Sequence, residues 1–346
     1  MNNVQYNLKF EKLVAELELG ELISKPKAIS GGLLHRMYAI ETTHAKYAVK
    51  ALNPQIMSRP TAMQNYIQSE KIANVAANFI HAQPAKVING SSMQILDHQC
   101  YLIFDWIDGK SLELHEVIET HCEHMGMILA DIHKTDFSQL HIPDLQLDHS
   151  KETDWNDYLN KGQTENSDWT ILLADNIQKL YEWSAQAKNA SVILASNTVI
   201  SHRDLEPKNV MWQQDTPIII DWESAGYINP MHDLVETAMY WSVDHTGIVE
   251  KERFLAFING YRSRVGNLNA NWRRVLENGF SGKLDWLEYS LKRSLWIECT
   301  DNEEQQMGTS QVTWTIEALK QYEDMISDVE HWLSKSEIIV IRYRKG

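Results

Sequence analysis

The chain has 346 residues, 43% of them hydrophobic and 23% charged, and carries a net charge of −15. That length is more than one simple core needs and predicts two lobes. The acidity excludes the basic patch of a nucleic-acid binder, and no apolar run reaches the ~18 residues of a membrane-spanning helix. The N-terminal region lacks a basic start followed by an apolar stretch, so no secretory signal is expected and the chain reads as cytoplasmic. Cys100, Cys122 and Cys299 are far apart and odd in number, which fits neither a disulfide framework nor a metal spacing.

In chain order, residues 7–23 show apolar residues at helical spacing, with Gly20 near the end. Runs 37–40 and 47–52 read as strands on either side of a polar turn. Residues 61–80 return to helical spacing. Val87-Ile88 and residues 93–96 bracket Asn89-Gly90, a hairpin signal. Residues 101–104 form a buried strand that stops before Asp105-Trp106-Ile107-Asp108-Gly109. Beyond Gly109 the pattern is helical over 112–134, 170–190 and most of 231–335. Residues 217–220 are the strand-like run within that stretch, and the tail at 338–343 has the composition of a late strand with no assigned neighbour. The expected architecture is α+β and bilobal. It comprises a β-rich N-lobe over 1–104, a hinge at 105–109 and a mainly helical C-lobe over 110–346 with a helical insertion at about 140–190.

The chemistry concentrates in Ser201-His202-Arg203-Asp204-Leu205-Glu206-Pro207-Lys208-Asn209. Phosphoryl transfer needs a carboxylate to orient and deprotonate the attacking hydroxyl, ligands for Mg²⁺ and a cation on the phosphates. Asp204 suits the first task. Asn209, on the same tight loop, offers the hard amide oxygen that Mg²⁺ accepts. The apolar strand Ile218-Ile219-Ile220 then ends in Asp221 and delivers a second carboxylate rigidly.

These spaced parts resemble the aminoglycoside phosphotransferase and choline kinase family, within the protein-kinase-like fold. Tyr47-Ala48-Val49-Lys50 resembles the strand of the phosphate-binding lysine. Glu70 fits that lysine's ion-pair partner, and Asp105 and Ile107 fit the hinge backbone that binds adenine. The resemblance implies Asp204 as catalytic base, Asn209 and Asp221 as Mg²⁺ ligands, and Lys50 on the phosphates of ATP or GTP. It makes Ser30-Gly31-Gly32 a loop over those phosphates, and His202 and Asp233 structural supports of the catalytic loop. Asp221 is followed by Trp222-Glu223 rather than Phe-Gly, and the short path to Asp233 leaves no room for an activation loop. A protein-kinase substrate is thereby disfavoured. Glu206 occupies the place where protein kinases keep a lysine, with Lys208 two residues on, and Arg203 replaces the glycine common in antibiotic kinases.

The expected activity is O-phosphorylation of a small hydroxyl compound, cationic or neutral. An aminoglycoside-like antibiotic leads, with the resistance role that substrate implies. Choline-type amino alcohols or sugars are the alternative, and a catalytically silent nucleotide-binding protein is the competing class. Acid and aromatic residues in the helical stretches supply acceptor-binding candidates: Asp154, Trp155, Trp241, Asp285, Trp286, Glu288 and Tyr289, together with Glu206. The expected partners are nucleotide and acceptor, with no nucleic acid and no membrane, in a monomer or dimer.

Overall fold

The structure, a computed structural model, describes residues 5–29, 34–143 and 152–343. These fall into two compact units: Met1–Glu113 with Thr135–Ile142 and His202–Gly226, and Leu114–Lys134 with Pro143–Ser201 and Tyr227–Gly346.

The first unit is built on an antiparallel sheet of β1 (Lys27–Ile29), β2 (Arg36–Glu41), β3 (Lys46–Ala51), β4 (Met93–Leu96) and β5 (Gln99–Asp105), in the order β1-β2-β3-β5-β4. The unbroken apolar run of β5 has a simple cause, because both of its faces are covered. Tyr101 and Ile103 point into a cluster with Phe10, Leu13 and Val14 of α1 (Phe10–Glu16). Cys100, Leu102 and Phe104, one residue out of phase, join Ile56 of α2 (Pro54–Met57) and Tyr66 of α3 (Ala62–Ala76) on the opposite face. Lys50 pairs with Leu102 across the sheet, and that register puts its side chain on the α3 side.

The helix expected over 7–23 is shorter. The amides of Glu18 and Leu19 fold back onto Ala15 and Val14, and Glu18 takes a φ of +53°, the left-handed turn that ends a helix. Asn89-Gly90 does make a tight two-residue turn, with reciprocal bonds between Ile88 and Ser91. The paired strands are β4 and β5, however, and they join through Asp97 and His98, both at positive φ. Later in this unit β7 (Val210–Gln213) and β8 (Thr216–Ile219) form a hairpin, and Ile219 bonds to the backbone of His81 and Gln83.

The second unit is mainly helical. It contains α4 (Glu119–Lys134), α5 (Trp155–Thr164), α6 (Thr170–Leu194), α7 (Pro230–Tyr240), α8 (Lys251–Val265), α9 (Trp272–Asn278), α10 (Phe280–Ser294) and α11 (Asn302–Tyr343). Helices α4 and α8 touch backbone to backbone: a Cβ on Gly126 would lie 2.1 Å from the Phe257 oxygen, and one on Gly260 2.0 Å from the Glu123 oxygen. Short strands β6 (Val199–Ser201) and β9 (Gly226–Ile228), like β7, are absent from the sequence-based expectation. The tail is corrected from strand to helix, because α11 runs on through 338–343. Extending an existing helix costs far less than starting a new element, and that outweighs the β-branched composition. No helix among the described residues is long and apolar enough to cross a membrane.

Candidate active site

The loop after Ser201 is held by its own histidine. His202 is fully buried; its Nδ1 accepts the Asp204 amide at 3.2 Å, so its Nε2 carries the proton and donates to the Ile220 carbonyl at 2.9 Å. One imidazole thus joins the loop to the strand that ends at Asp221, and the Trp222 ring packs on it edge-on at 4.7 Å. The backbone of Asn209 reinforces the link by accepting the Ile220 amide at 3.0 Å. The Asn209 side-chain Nδ2 donates to the Asp204 carbonyl at 2.8 Å and to its Oδ2 at 2.9 Å, which turns the amide oxygen the other way. Two bulky residues adopt left-handed backbone here, Arg203 at φ +66° and Asp221 at φ +60°, ψ +60°. Such conformations cost of order 1–2 kcal/mol each and concentrate at functional sites.

Glu206, unexplained by the sequence, forms an ion pair with Lys208 at 3.0 Å. Burial, and next the Glu206 charge, push the Asp204 carboxyl well above the ordinary aspartate range. Asp204 therefore holds a proton more firmly than an exposed aspartate.

Lys50 is 5% exposed and reaches across the unit to Asp221 Oδ1 and Glu223 Oε2, each at 2.6 Å. Burial alone would depress the ammonium; the two carboxylates overcome it and hold Lys50 charged, above its ordinary value. Glu70, expected as the ion-pair partner of Lys50, feels the Lys50 charge without a direct bond to it. Glu70 Oε2 instead accepts the Ala85 amide at 2.6 Å, and burial lifts its carboxyl to about 7. Glu223 is the carboxylate that sequence reasoning missed. Its signal was position, two residues after Asp221. Behind it lies His35, with its side chain fully buried; His35 Nε2 is 3.4 Å from Glu223 Oε2 and in close contact with the Tyr66 hydroxyl.

The other expected residues are placed as follows. Ser30, Gly31 and Gly32 lie outside the described residues. Asp105 ends β5; its carboxylate pairs with Lys86 at 2.7 Å and its carbonyl accepts Gln83 Nε2 at 2.5 Å, while Ile107 is half-buried. Asp233 in the second unit is 2% exposed and bonds His133 Nε2 at 2.8 Å, and the other nitrogen of that ring meets the Tyr261 hydroxyl.

The acceptor candidates divide. Trp155 and Trp241 are corrected to core residues, 1% and 0% exposed, with the Trp155 Nε1 spent on Ser184. Glu288 already accepts from Thr153, Tyr158 and Lys292, at 2.8, 3.0 and 2.8 Å. Asp154 caps α5 by accepting the Asp157 amide. Asp285 is exposed on α10, beside the half-buried Trp286 and Tyr289, whose rings stand 5.6 Å apart.

A family comparison decides what this constellation belongs to: residues 25–275 match the model of the phosphotransferase enzyme family. The chain belongs to that family. It is a phosphotransferase. No curated protein sequence matches it. This phosphotransferase shares its fold with solved structures of low identity. A spectinomycin phosphotransferase in complex with ADP and spectinomycin is 13% identical with a TM-score of 0.64, over 92% of this chain and 99% of that one. An ethanolamine kinase of Plasmodium vivax is 15% identical with a TM-score of 0.57, over 87% and 85%. A choline kinase from Cryptosporidium parvum Iowa II is 13% identical with a TM-score of 0.56, over 94% and 99%.

Proposed function

We propose that this phosphotransferase moves the γ-phosphoryl group of ATP or GTP to a hydroxyl of a small acceptor, aminoglycoside-like in the first instance and choline-like or sugar-like otherwise. The observation that carries the reading is the gathering of Lys50, Asp221, Asn209 and Asp204 within one compact unit.

Asp204 accepts the proton of the attacking hydroxyl. Its raised proton affinity suits a base that must hold the proton once it is transferred. Asn209 fixes the Asp204 rotamer, and Lys50 places its charge on the phosphates once it leaves Asp221. Among the described residues no three His, Cys, Asp or Glu side chains gather as a metal cage. The donors present are hard oxygens, namely the outward amide oxygen of Asn209 and the carboxylate of Asp221, with 20% of its side chain exposed. They fit Mg²⁺, which commonly takes one or two protein ligands and completes its shell with phosphate and water. When bound there, the ion supplies positive charge beside the transferring phosphoryl oxygens. The backbone of Asp105 and Ile107 and the Ser30-Gly31-Gly32 segment are the proposed nucleotide contacts. Asp285, exposed beside the half-buried Trp286, is the proposed acceptor contact together with that ring, whereas the Tyr289 ring already faces the Arg293 guanidinium at 5.5 Å.

The test is nucleoside-diphosphate release, with ATP and with GTP, against a panel of aminoglycosides, macrolides, choline-type alcohols and sugars. Acceptor-dependent release with at least one compound of the panel, an aminoglycoside first, is expected. Tight nucleotide binding with no release across the panel would contradict the reading.

A further inference from the structure

We infer that Gln83 covers the backbone carbonyl of Asp105 and makes the nucleotide site indifferent to whether the purine carries an amino or an oxo group at position 6. The inference rests on the phosphotransferase reading, which sets the base against Asp105 and Ile107, and it deepens that reading by naming the nucleotides the site accepts. Gln83 determines what the base meets and takes no part at the reacting atoms.

The direction of the Asp105 carbonyl follows from the sheet, because successive carbonyls of a strand point to alternate sides. The Trp106 amide donates to the Lys46 carbonyl on the β3 side at 3.3 Å. The Ile103 carbonyl faces the other way and accepts the Lys86 amide at 2.7 Å. Asp105, in phase with Ile103, has its carbonyl on that same side. Gln83 is half-buried there and is held at both ends. Its backbone amide donates to the Ile219 carbonyl at 2.8 Å, and the Ile219 amide donates to the His81 carbonyl at 2.7 Å. Its side-chain Nε2 donates to the Asp105 carbonyl at 2.5 Å. The rest of the segment is equally committed. The Asp105 carboxylate pairs with Lys86 at 2.7 Å, the Lys46 ammonium lies 3.6 Å from the centre of the Trp106 ring, and Trp106 Nε1 donates to Asp108 at 3.0 Å. Turning the peptide to offer an uncovered carbonyl would break several of these contacts.

Adenine presents an amino donor at position 6, and guanine presents an oxo acceptor. A bare carbonyl attracts the first and repels the second. A carbonyl already bonded to an amide does neither strongly. The amide that covers it still has a second N–H and its own oxygen, a donor and an acceptor, so it meets either group. Among the described residues these two groups of Gln83 have no other partner.

The experiment measures Kd by isothermal titration for the Mg complexes of ATP, GTP and purine riboside triphosphate, which carries only hydrogen at position 6. The full chain is compared with Gln83→Met, and thermal melts verify folding. The native chain is expected to bind the three nucleotides within about tenfold of one another, the reach of one neutral hydrogen bond. Methionine keeps the bulk of Gln83 but has no amide, so it uncovers the Asp105 carbonyl. Gln83→Met should therefore raise the preference for ATP over GTP by about tenfold, and should also favour ATP over the purine without a 6-substituent. A packing role for Gln83 would move all three nucleotides alike, and a rise in the ATP preference of less than about threefold overturns the inference. A native preference beyond about tenfold for either ATP or GTP overturns it with no variant needed, so the test stands even where Gln83→Met does not fold. A native chain that binds none of the three nucleotides overturns the phosphotransferase reading itself, and the inference falls with it.

Discussion

Asn209 holds Asp204 by two hydrogen bonds from a single nitrogen, to the carbonyl at 2.8 Å and to Oδ2 at 2.9 Å. A proposed metal ligand and the proposed base are thereby one rigid piece. Replacing the donor by an acceptor should damage both functions at once. Asn209→Asp is expected to reduce turnover by about 10²-fold, since precise placement of a base contributes on that scale. Steady-state kinetics and a melt, with the fold retained, check it.

Glu206 adds to the burial that makes Asp204 hold its proton. Burial and then the Glu206 charge raise the Asp204 carboxyl, while Lys208 opposes them. The base works only when ionised, so turnover should rise with pH along its acid limb. Glu206→Gln removes the neighbouring negative charge and should move that limb to lower pH; Lys208→Gln should move it higher. The pH profiles of kcat/KM for the two variants, compared with the native chain, decide it. Shifts in the same direction would contradict the pairing.

Glu70 should leave a mark on stability. Burial lifts its folded carboxyl from the ordinary 4.5 to about 7, opposed in part by the Ala85 amide. Folding thus favours the protonated acid. The contribution is whole below pH 4.5 and is lost as pH rises through 7, up to about 3 kcal/mol for a shift of this size. Glu70→Gln, neutral at every pH, should gain stability relative to the native chain between pH 5 and pH 8. Denaturant melts at the two pH values measure it, and an unchanged difference would refute it.

The core and surface acceptor candidates should separate. Trp241→Ala is expected to cost about 3–5 kcal/mol, as large buried aromatics do. Asp285→Asn and Trp286→Ala should raise the acceptor KM while changing the melting temperature little. Acceptor titrations and melts on the same preparations test the distinction. Packing elsewhere gives a stability control: Gly126→Ala would drive a Cβ to 2.1 Å from the Phe257 oxygen and should cost about 1–3 kcal/mol with no specific effect on nucleotide binding.

Much of this was legible because it is local. The loop from Ser201 to Asn209, the apolar strand delivering Asp221 and the strand carrying Lys50 each announce themselves within ten residues. The short strands β6, β7 and β9 were not legible, since three or four residues carry too little periodicity to distinguish strand from loop. The carboxylates that bond Lys50 were hidden for a different reason. Spacing along the chain favoured Glu70, whereas the bond to Glu223 closes across 173 residues and depends on where the sheet register and the left-handed turn at Asp221 place the two groups. The aromatic residues that composition marked as ligand faces split by burial, which sequence does not report: Trp155 and Trp241 went to the core and Trp286 is half-buried.

The most direct test compares the native chain with Asp204→Asn, measuring nucleotide affinity and acceptor-dependent phosphate transfer on the same samples. Asparagine keeps the shape of Asp204 but takes no proton at neutral pH. The expected result is nucleotide binding within about threefold of native together with transfer reduced by about 10³-fold, the scale of a lost general base. Transfer at the native rate by Asp204→Asn would contradict the account.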